Sequence, residues 1–154
     1  MIEIRRMTTP ADVEAARLLL RQYGSIPEVG ECVVGFAAEI AGLPGRYAAP
    51  EGTLLLARLD GNCVGCGALR KIGPGVCEMK RLFVEPPARG SGMGRALALA
   101  LIDTGRELGY HTMRLDTLPF MESAIALYRG LGFRQIERYD ANSPTKALYF
   151  ELEL

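Results

Sequence analysis

The chain has 154 residues, which is enough for one domain with a sizeable hydrophobic core. Its 18 basic and 18 acidic residues cancel, so net charge gives no support to nucleic acid or an anionic membrane as the main partner. The first residues lack the basic-then-apolar pattern of a secretion signal, and no apolar run approaches the roughly 20 residues of a membrane span. We therefore expect one cytoplasmic domain over residues 1–154.

Apolar periodicity, helix caps and turn residues predict the secondary structure. In chain order we predict a strand (2–7), two helices (9–24 and 31–45), three strands (53–60, 63–72 and 76–84), a helix (92–108), a strand (111–117), a helix (121–132) and two strands (133–139 and 146–154). A strand meander followed by a strand–helix–strand crossover is typical of an α/β (α+β) fold, with a mixed central sheet flanked by helices.

The four cysteines include one C-x-x-C pair, Cys63 and Cys66, a spacing that also occurs in zinc and redox sites. Both lie on a predicted strand, three residues apart, so we expect their side chains to point to opposite faces of the sheet. The chain has no second C-x-x-C, and His111 is its single histidine. We therefore predict no metal site and assign the cysteines as reduced core residues.

The sequence Arg-Gly-Ser-Gly-Met-Gly, residues 89–94, stands between a predicted strand and a predicted helix. A helix N-terminus offers unpaired N–H groups and a partial positive charge, and glycines there let an anion approach the backbone. The loop therefore predicts a cradle for a phosphate or pyrophosphate. The alternative is a flexible turn in which the glycines are incidental.

Two other phosphate motifs fit this loop less well. A P-loop requires Lys-Ser or Lys-Thr after its last glycine, and neither stands here. In the dinucleotide fingerprint the third glycine would fall on Arg95, where close helix–strand packing needs a small residue. Asp116 ends the next predicted strand, where a ribose-binding acid would lie, so a nucleotide-binding regulator stays open as an alternative.

Residues 89–94 also fit the pattern Gln/Arg-x-x-Gly-x-Gly/Ala, with Arg89, Gly92 and Gly94 at its fixed positions. This stretch resembles the acyl-CoA signature of the GNAT superfamily of N-acetyltransferases. The next predicted helix is similar to the family's second motif, A-x-x-L-Y-x-x-x-G-F, which stands at Ala124, Leu127, Tyr128, Gly132 and Phe133. The resemblance covers roughly residues 54–137, and it departs from the family at Met121, where asparagine is frequent.

The resemblance implies a GNAT-like acyltransferase fold and acetyl-CoA as the cofactor. The cofactor's pyrophosphate would lie on the glycine loop, and its pantetheine arm would pair with the preceding strand. The implied cofactor site comprises Leu82, Phe83, Val84, Arg89, Gly90, Ser91, Gly92, Met93, Gly94 and Arg95. Backbone N–H groups at Leu82 or Val84 would meet the thioester carbonyl as an oxyanion hole.

The resemblance also implies that an amine attacks the thioester directly. A protonated amine must lose a proton, and Glu78, eleven residues before Arg89, is the predicted base; transfer through water stays open. The departing thiolate gains a proton, and Tyr128 matches the family tyrosine that supplies it. The catalytic residues implied are therefore Glu78 and Tyr128.

The acceptor pocket would lie between the first two helices and the last two strands. The candidates are Arg21, Tyr23, Arg46, Tyr47, Tyr139 and Asn142, together with Lys80 or Arg81 if either faces the pocket. We expect a small-molecule primary amine, such as an amino acid or related metabolite. A protein N-terminus or lysine is the alternative acceptor, and a non-catalytic acyl-CoA-binding module is a further alternative. A homodimer through the last strands or a sheet edge also stays open.

Overall fold

The computed structural model describes residues 1–30 and 33–154. Its strands are β1 (Ile2–Arg6), β2 (Thr53–Leu59), β3 (Asn62–Gly73), β4 (Val76–Val84), β5 (Thr112–Thr117), β6 (Arg134–Ile136) and β7 (Leu148–Glu153). Its helices are α1 (Pro10–Gly24), α2 (Pro27–Gly30), α3 (Phe36–Ala41), α4 (Met93–Glu107) and α5 (Glu122–Gly130), and short 3-10 helices cover Gly45–Tyr47 and Pro86–Ala88. The predicted fold class is confirmed.

The strands form one mixed sheet in the order β1-β2-β3-β4-β5-β7-β6. β4 and β5 are parallel, and the other neighbouring strands are antiparallel. Two parallel neighbours need a crossover connection, which α4 supplies on one face of the sheet. β1 and β6 are the edges of the sheet, where a partner copy could pair, and the homodimer stays a prediction.

β4 and β5 pair over a short stretch and then separate. Their register runs from Val76 opposite Thr112 to Glu78 opposite Arg114, although β4 continues to Val84. From Met79 onward β4 is therefore paired with β3 alone. The separation opens a gap in the middle of the sheet, as the family resemblance implies.

β4 also carries a bulge inside this gap. Cys66 faces Phe83 and Ala68 faces Lys80 across the β3–β4 ladder, so Arg81 and the residue after it oppose a single residue of β3. Arg81 has a φ of 60°, a left-handed conformation that costs a non-glycine residue about 1–3 kcal/mol. The surrounding contacts therefore hold Arg81 in this conformation.

The sheet separates two hydrophobic cores. On one face α4 and α5 pack on the sheet around Leu97, Leu101 and Phe150, all fully buried. On the other face α1 and α3 pack around Leu20 and Leu56. Because both faces of the sheet are covered, the sequences of the central strands are nearly continuous apolar runs.

The predicted second helix, residues 31–45, is shorter than expected. Its first two residues, Glu31 and Cys32, lie outside the described residues. The helix itself begins at Phe36, after Gly35 in a left-handed conformation, and α2 precedes it as one additional turn. The predicted strand 133–139 is likewise reduced to the three residues of β6, because the chain then leaves the sheet to form a loop.

The prediction that Cys63 and Cys66 point to opposite faces is wrong. A bulge lies opposite Ala57 and Arg58 of β2, and it shifts the alternation of β3 by one residue. Both cysteines consequently pack on the core beneath α1. Three of the four predicted reduced thiols, Cys63, Cys66 and Cys77, are unbonded, and burial raises the pKa of Cys66 and of Cys77 to about 12. The prediction for Cys32 lies outside the described residues.

Residues 1–30 and 33–154 lack both a helix that could cross a membrane and a cluster of metal ligands. No helix there combines the length and the apolar character that crossing a membrane requires. No group of three or more histidine, cysteine, aspartate or glutamate side chains in those residues could hold a metal ion.

Asp12 fixes α1 against the sheet. Its carboxylate accepts hydrogen bonds from the backbone N–H groups of Thr8 and Thr9, both at 3.0 Å, and completes a capping box. It also pairs with Arg5 of β1 at 3.1 Å and with Arg58 of β2 at 3.3 Å. These hydrogen bonds, those of the backbone first, hold the pKa of Asp12 well below its ordinary value.

We predict that Asp12→Asn lowers the free energy of unfolding at pH 7 by roughly 1–3 kcal/mol, because charge-assisted hydrogen bonds are lost. A carboxyl whose pKa is depressed by folding stabilises the fold above its unfolded-state pKa, and that contribution disappears as pH falls. Urea unfolding should therefore show a smaller difference in the free energy of unfolding between the wild type and Asp12→Asn at pH 3 than at pH 7. Asp103→Asn, on the exposed face of α4, is the control and should change stability little. If Asp12→Asn lost the same stability at both pH values, the stabilising role of the ionised Asp12 carboxylate would be contradicted.

Candidate active site

A groove of about 720 Å³ runs beside the free end of β4 and across the start of α4. It is bounded by three segments: the end of β4, the glycine loop, and the β5–α5 connection with the first turns of α5. Its lining includes Leu82, Phe83, Val84, Arg89, Gly90, Gly92, Met93, Gly94, Phe120 and Leu127. Most of the predicted cofactor residues are therefore brought together on one surface.

The glycine loop presents bare backbone to this groove. Gly90 and Gly92 have φ values of 84° and 85°, which side chains rarely adopt, and Gly92 caps α4 without a side-chain hydrogen bond. The first helical bond runs from the Ala96 N–H to the Gly92 carbonyl. In the described chain no protein acceptor bonds the N–H groups of residues 90–95, so they can meet an anion.

The remaining residues of the loop hold its shape. The Arg89 Nε donates to the Val84 carbonyl at 2.9 Å, which ties the loop to the end of β4. The Ser91 hydroxyl donates to the Ala88 carbonyl at 2.6 Å, and the side chain of Met93 is buried in the core. Neither Ser91 nor Arg95 lines the groove. Their predicted contacts with the cofactor stay predictions.

A second cavity, of about 540 Å³, lies beyond the gap between β4 and β5. Its walls come from α2 and α3, from the β5–α5 connection and from the β6–β7 loop. Tyr23 and Met121 line both this cavity and the groove, so the two spaces meet at these side chains. We call the second space the acceptor cavity.

Charged side chains on both sides of the gap line the acceptor cavity. Lys80 of β4 donates to Asp116 of β5 at 3.3 Å, and the Ser143 hydroxyl donates to the same carboxylate at 2.6 Å. Burial alone would raise the pKa of Asp116, but the charge of Lys80 and these hydrogen bonds outweigh it and hold the pKa below its ordinary value. Asp116 is therefore ionised at neutral pH.

Arg81, at the bulge, points toward α3. Its Nε and a terminal nitrogen donate to the Glu39 carboxylate at 2.7 and 2.8 Å, and its guanidinium lies 5.0 Å from the Phe36 ring centroid. A two-pronged pair of this kind is stronger than a single contact between the same charges. It holds Arg81 in its left-handed conformation and anchors α3 over the gap.

Glu78, the predicted base, is buried behind the cavity rather than exposed in it. One carboxylate oxygen accepts from Arg70 at 2.8 Å, and the other accepts from the Tyr139 hydroxyl at 2.6 Å. Its side chain is 1% exposed and does not line the cavity, although Arg70 and Lys80 do. Burial and the adjacent Glu78 raise the pKa of Tyr139 far above its ordinary value, so that hydroxyl remains a donor.

Tyr128, the predicted acid, lies on the buried face of α5 and lines neither the groove nor the acceptor cavity. Its ring packs at 5.8 Å from Phe133 and 6.5 Å from Phe150, centroid to centroid. Burial, with smaller effects of Tyr23 and Asp116, raises the pKa of Tyr128 far above its ordinary value. The hydroxyl therefore stays protonated at neutral pH, and the raised pKa also makes it a weaker acid than an ordinary tyrosine.

The acceptor candidates separate into two groups. Tyr23, Arg46, Lys80, Arg81 and Asn142 line the cavity, as predicted for this pocket. In contrast, Arg21 lies on the outer side of α1, Tyr47 is in the core, and Tyr139 lies behind Glu78.

Sequence reasoning did not include three residues that line these spaces. Phe120 and Met121 precede α5, and Phe120 is 50% exposed at the groove. Ser143 lies in the β6–β7 loop and bonds Asp116 from 27 residues away. An aromatic residue directly before a predicted helix could have indicated Phe120 from the sequence. Nothing in the local sequence around Ser143 indicates its contact with Asp116. Asp116 faces the acceptor cavity, and the groove lining does not include it, which removes support for the ribose-binding alternative.

Comparison with known proteins adds independent findings. Residues 34–133 match the Acetyltransferase (GNAT) family. An uncharacterized N-acetyltransferase of Schizosaccharomyces pombe is 35% identical, over 99% of this chain and 95% of its own length. A GNAT acetyltransferase structure from Staphylococcus aureus superposes with a TM-score of 0.83 at 19% identity, covering 99% of both chains. A putative acetyltransferase of Salmonella typhimurium, solved with acetyl-CoA, gives 0.77 at 20% identity over 99% of this chain and 93% of its own.

We predict that Gly92→Glu reduces affinity for acetyl-CoA at least 100-fold, because a carboxylate would then stand where the pyrophosphate meets the N–H groups. Calorimetric titration with acetyl-CoA measures the effect. Gly109→Glu is the matched control, since Gly109 has a φ of 89° and open space around it at the other end of α4. Near-normal affinity in Gly92→Glu would contradict the cradle, and an equal loss in both variants would indicate a folding defect.

Proposed function

Since the chain belongs to the Acetyltransferase (GNAT) family, it is an acyltransferase that uses acetyl-CoA, and we propose that it acetylates the primary amine of a small molecule. The observation that carries the proposal is the acceptor cavity, which has room for a small molecule and opens to the groove at Tyr23 and Met121. The amine would attack the thioester carbon, and the carbon–sulfur bond would then break to release CoA as a thiol.

The groove offers the kinds of group that would bind the parts of acetyl-CoA. The free N–H groups of residues 90–95 would bind the pyrophosphate at the positive end of α4. The part of β4 that β5 leaves unpaired would present backbone groups to the pantetheine arm. A backbone N–H at Leu82 or Val84 would then stabilise the oxyanion that forms on the thioester.

Glu78 remains the proposed base. Its carboxylate lies behind Arg70 and Lys80, so a proton would reach it through water or after a shift of one of its hydrogen-bond partners. Asp116 faces the cavity, but its lowered pKa makes it a weak proton acceptor and a good partner for an ammonium group. Glu78 is thus the proposed base, and Asp116 is the proposed partner of the ammonium group.

Tyr128 is the proposed acid for the departing thiolate. Its raised pKa supports the role only in keeping the hydroxyl protonated, and Tyr23 and Asp116, which line the acceptor cavity, are near enough to contribute to that shift. A thiol of ordinary pKa leaves as a thiolate without much assistance near neutral pH, so the expected contribution is moderate.

The first experiment is calorimetric titration with acetyl-CoA, followed by measurement of thiol release with small amines and with peptides. Thiol release and an N-acetylated product with small amines would support the proposal. Turnover with peptides alone would support the protein-directed alternative, and binding without turnover on either would support an acyl-CoA-binding module.

We predict that Tyr128→Phe lowers kcat roughly 10- to 100-fold and leaves acetyl-CoA affinity nearly unchanged, because only a proton donor is lost. Steady-state kinetics and calorimetry separate the two quantities. Tyr110→Phe, which removes a hydroxyl remote from the gap, should retain full activity. Unchanged turnover of Tyr128→Phe from pH 6 to 9 would contradict the acid role.

We predict that Glu78→Gln lowers kcat/KM about 100-fold near pH 7, and that the deficit narrows as pH approaches the pKa of the acceptor amine. At higher pH more of the amine is already neutral, so the base matters less. Glu151→Gln is the matched control, because Glu151 is also buried and paired with arginines but lies away from the cavity. A deficit of Glu78→Gln that stays constant with pH would assign Glu78 a structural role.

A further inference from the structure

The positive charges around the acceptor cavity differ in whether they are already paired. Among the described residues, the cations that line the cavity are Arg46, Arg70, Lys80 and Arg81. Arg70 pairs with Glu78 at 2.8 Å, Lys80 with Asp116 at 3.3 Å, and Arg81 with Glu39 at 2.7 Å. Arg46 has no carboxylate or other hydrogen-bond partner within residues 1–30 and 33–154. It is therefore the cation of this wall whose charge is available to a ligand.

Arg46 also lies at a defined level of the sheet. The 3-10 helix Gly45–Tyr47 packs on β3, close to Leu69, and Leu69 is paired with Met79 of β4. Met79 lies three residues before Leu82, which is roughly 10 Å along a strand. The backbone of Arg46 thus lies near the level of Met79 on the sheet, farther from the groove than Leu82.

Within the described part of the chain, three carboxylates line the cavity, those of Glu39, Asp116 and Asp140, and Asp116 is the one that belongs to a strand bordering the gap. Asp116 reaches across the gap to Lys80, the residue after Met79, and it stays ionised because of that contact. A ligand ammonium near Asp116 would stand closer to the groove than a ligand carboxylate near Arg46. The arrangement fits a molecule that has both charges and places its amine toward the thioester.

Apolar side chains form much of the remaining wall. Val29 and Val33 line it from the α2 side, and Leu118 and Pro144 line it from the opposite side. They would remove an apolar side chain of the ligand from water. Burial of apolar surface stabilises a complex by about 25 cal/mol per Å².

We propose that the acceptor is an amino-acid-class zwitterion with an apolar side chain, and that Arg46 binds its carboxylate and sets its orientation. The proposal rests on the proposed function, because it names the substrate class of the same site. Arg46 is well suited to the role, since a guanidinium binds a carboxylate through two parallel hydrogen bonds.

The test compares apolar amino acids with their carboxamides and with the corresponding amines that lack a carboxyl group. Thiol release from acetyl-CoA is measured for the wild type, Arg46→Gln, Arg46→Lys and Arg6→Gln, at equal concentrations of free amine. Arg6 is an exposed arginine on the edge strand β1, so its variant is the matched control for lost charge.

For the wild type we expect kcat/KM to be about 10- to 100-fold higher for the amino acid than for its carboxamide. Arg46→Gln should raise KM for the amino acid by a similar factor, with little change for the carboxamide, and Arg46→Lys should recover part of the loss. Arg6→Gln should behave as the wild type.

Two kinds of result would overturn the proposal, and they are distinguishable. If the wild type uses the carboxamide as well as the amino acid, or if Arg46→Gln impairs both equally, Arg46 does not recognise a carboxylate, although small-amine acetylation stands. If no small amine releases thiol while acetyl-CoA binds, the proposed function fails and this inference fails with it.

Discussion

The separation of β4 from β5 is the constraint on which the site depends. The ladder between them ends at Glu78 and Arg114, and β4 then continues for six residues with β3 as its one neighbour. Backbone groups that would otherwise complete a parallel ladder are left for a ligand. The groove and the acceptor cavity both border this separation, and they meet at Tyr23 and Met121.

An opening in the middle of a sheet exposes charged groups in surroundings of low polarity, where each charge needs a partner. The chain meets this requirement with pairs that cross between elements: Lys80 with Asp116, Arg81 with Glu39, and Arg70 with Glu78. Of these pairs, Lys80 with Asp116 links β4 to β5 beyond the end of their backbone ladder. The three pairs also neutralise most of the charge that lines the cavity, so Arg46, which has no partner among residues 1–30 and 33–154, is the group available for recognition.

Local patterns were sufficient for the elements that the chemistry needs. The glycine loop, the strand before it and the helix after it follow from spacing and composition, because a left-handed backbone and a helix start have strong residue preferences. Patterns were insufficient where an element has only one turn and so shows no repeat, as in α2, or where a bulge shifts the alternation. The bulge in β3 is the reason that Cys63 and Cys66 share a face, contrary to the expected two-residue alternation.

The sequence by itself determined the order of strands and helices, the position of the anion-binding loop and the resemblance to the family, since each depends on residues close together in the chain. Only the tertiary structure decided how the charges are paired. Glu39 and Arg81 are 42 residues apart, and Glu78 and Tyr139 are 61 apart, so no local pattern relates them. Which carboxylate is buried, which faces the cavity and which cation stays free depend on how distant elements pack, and the packing energy of a whole sheet sets that arrangement.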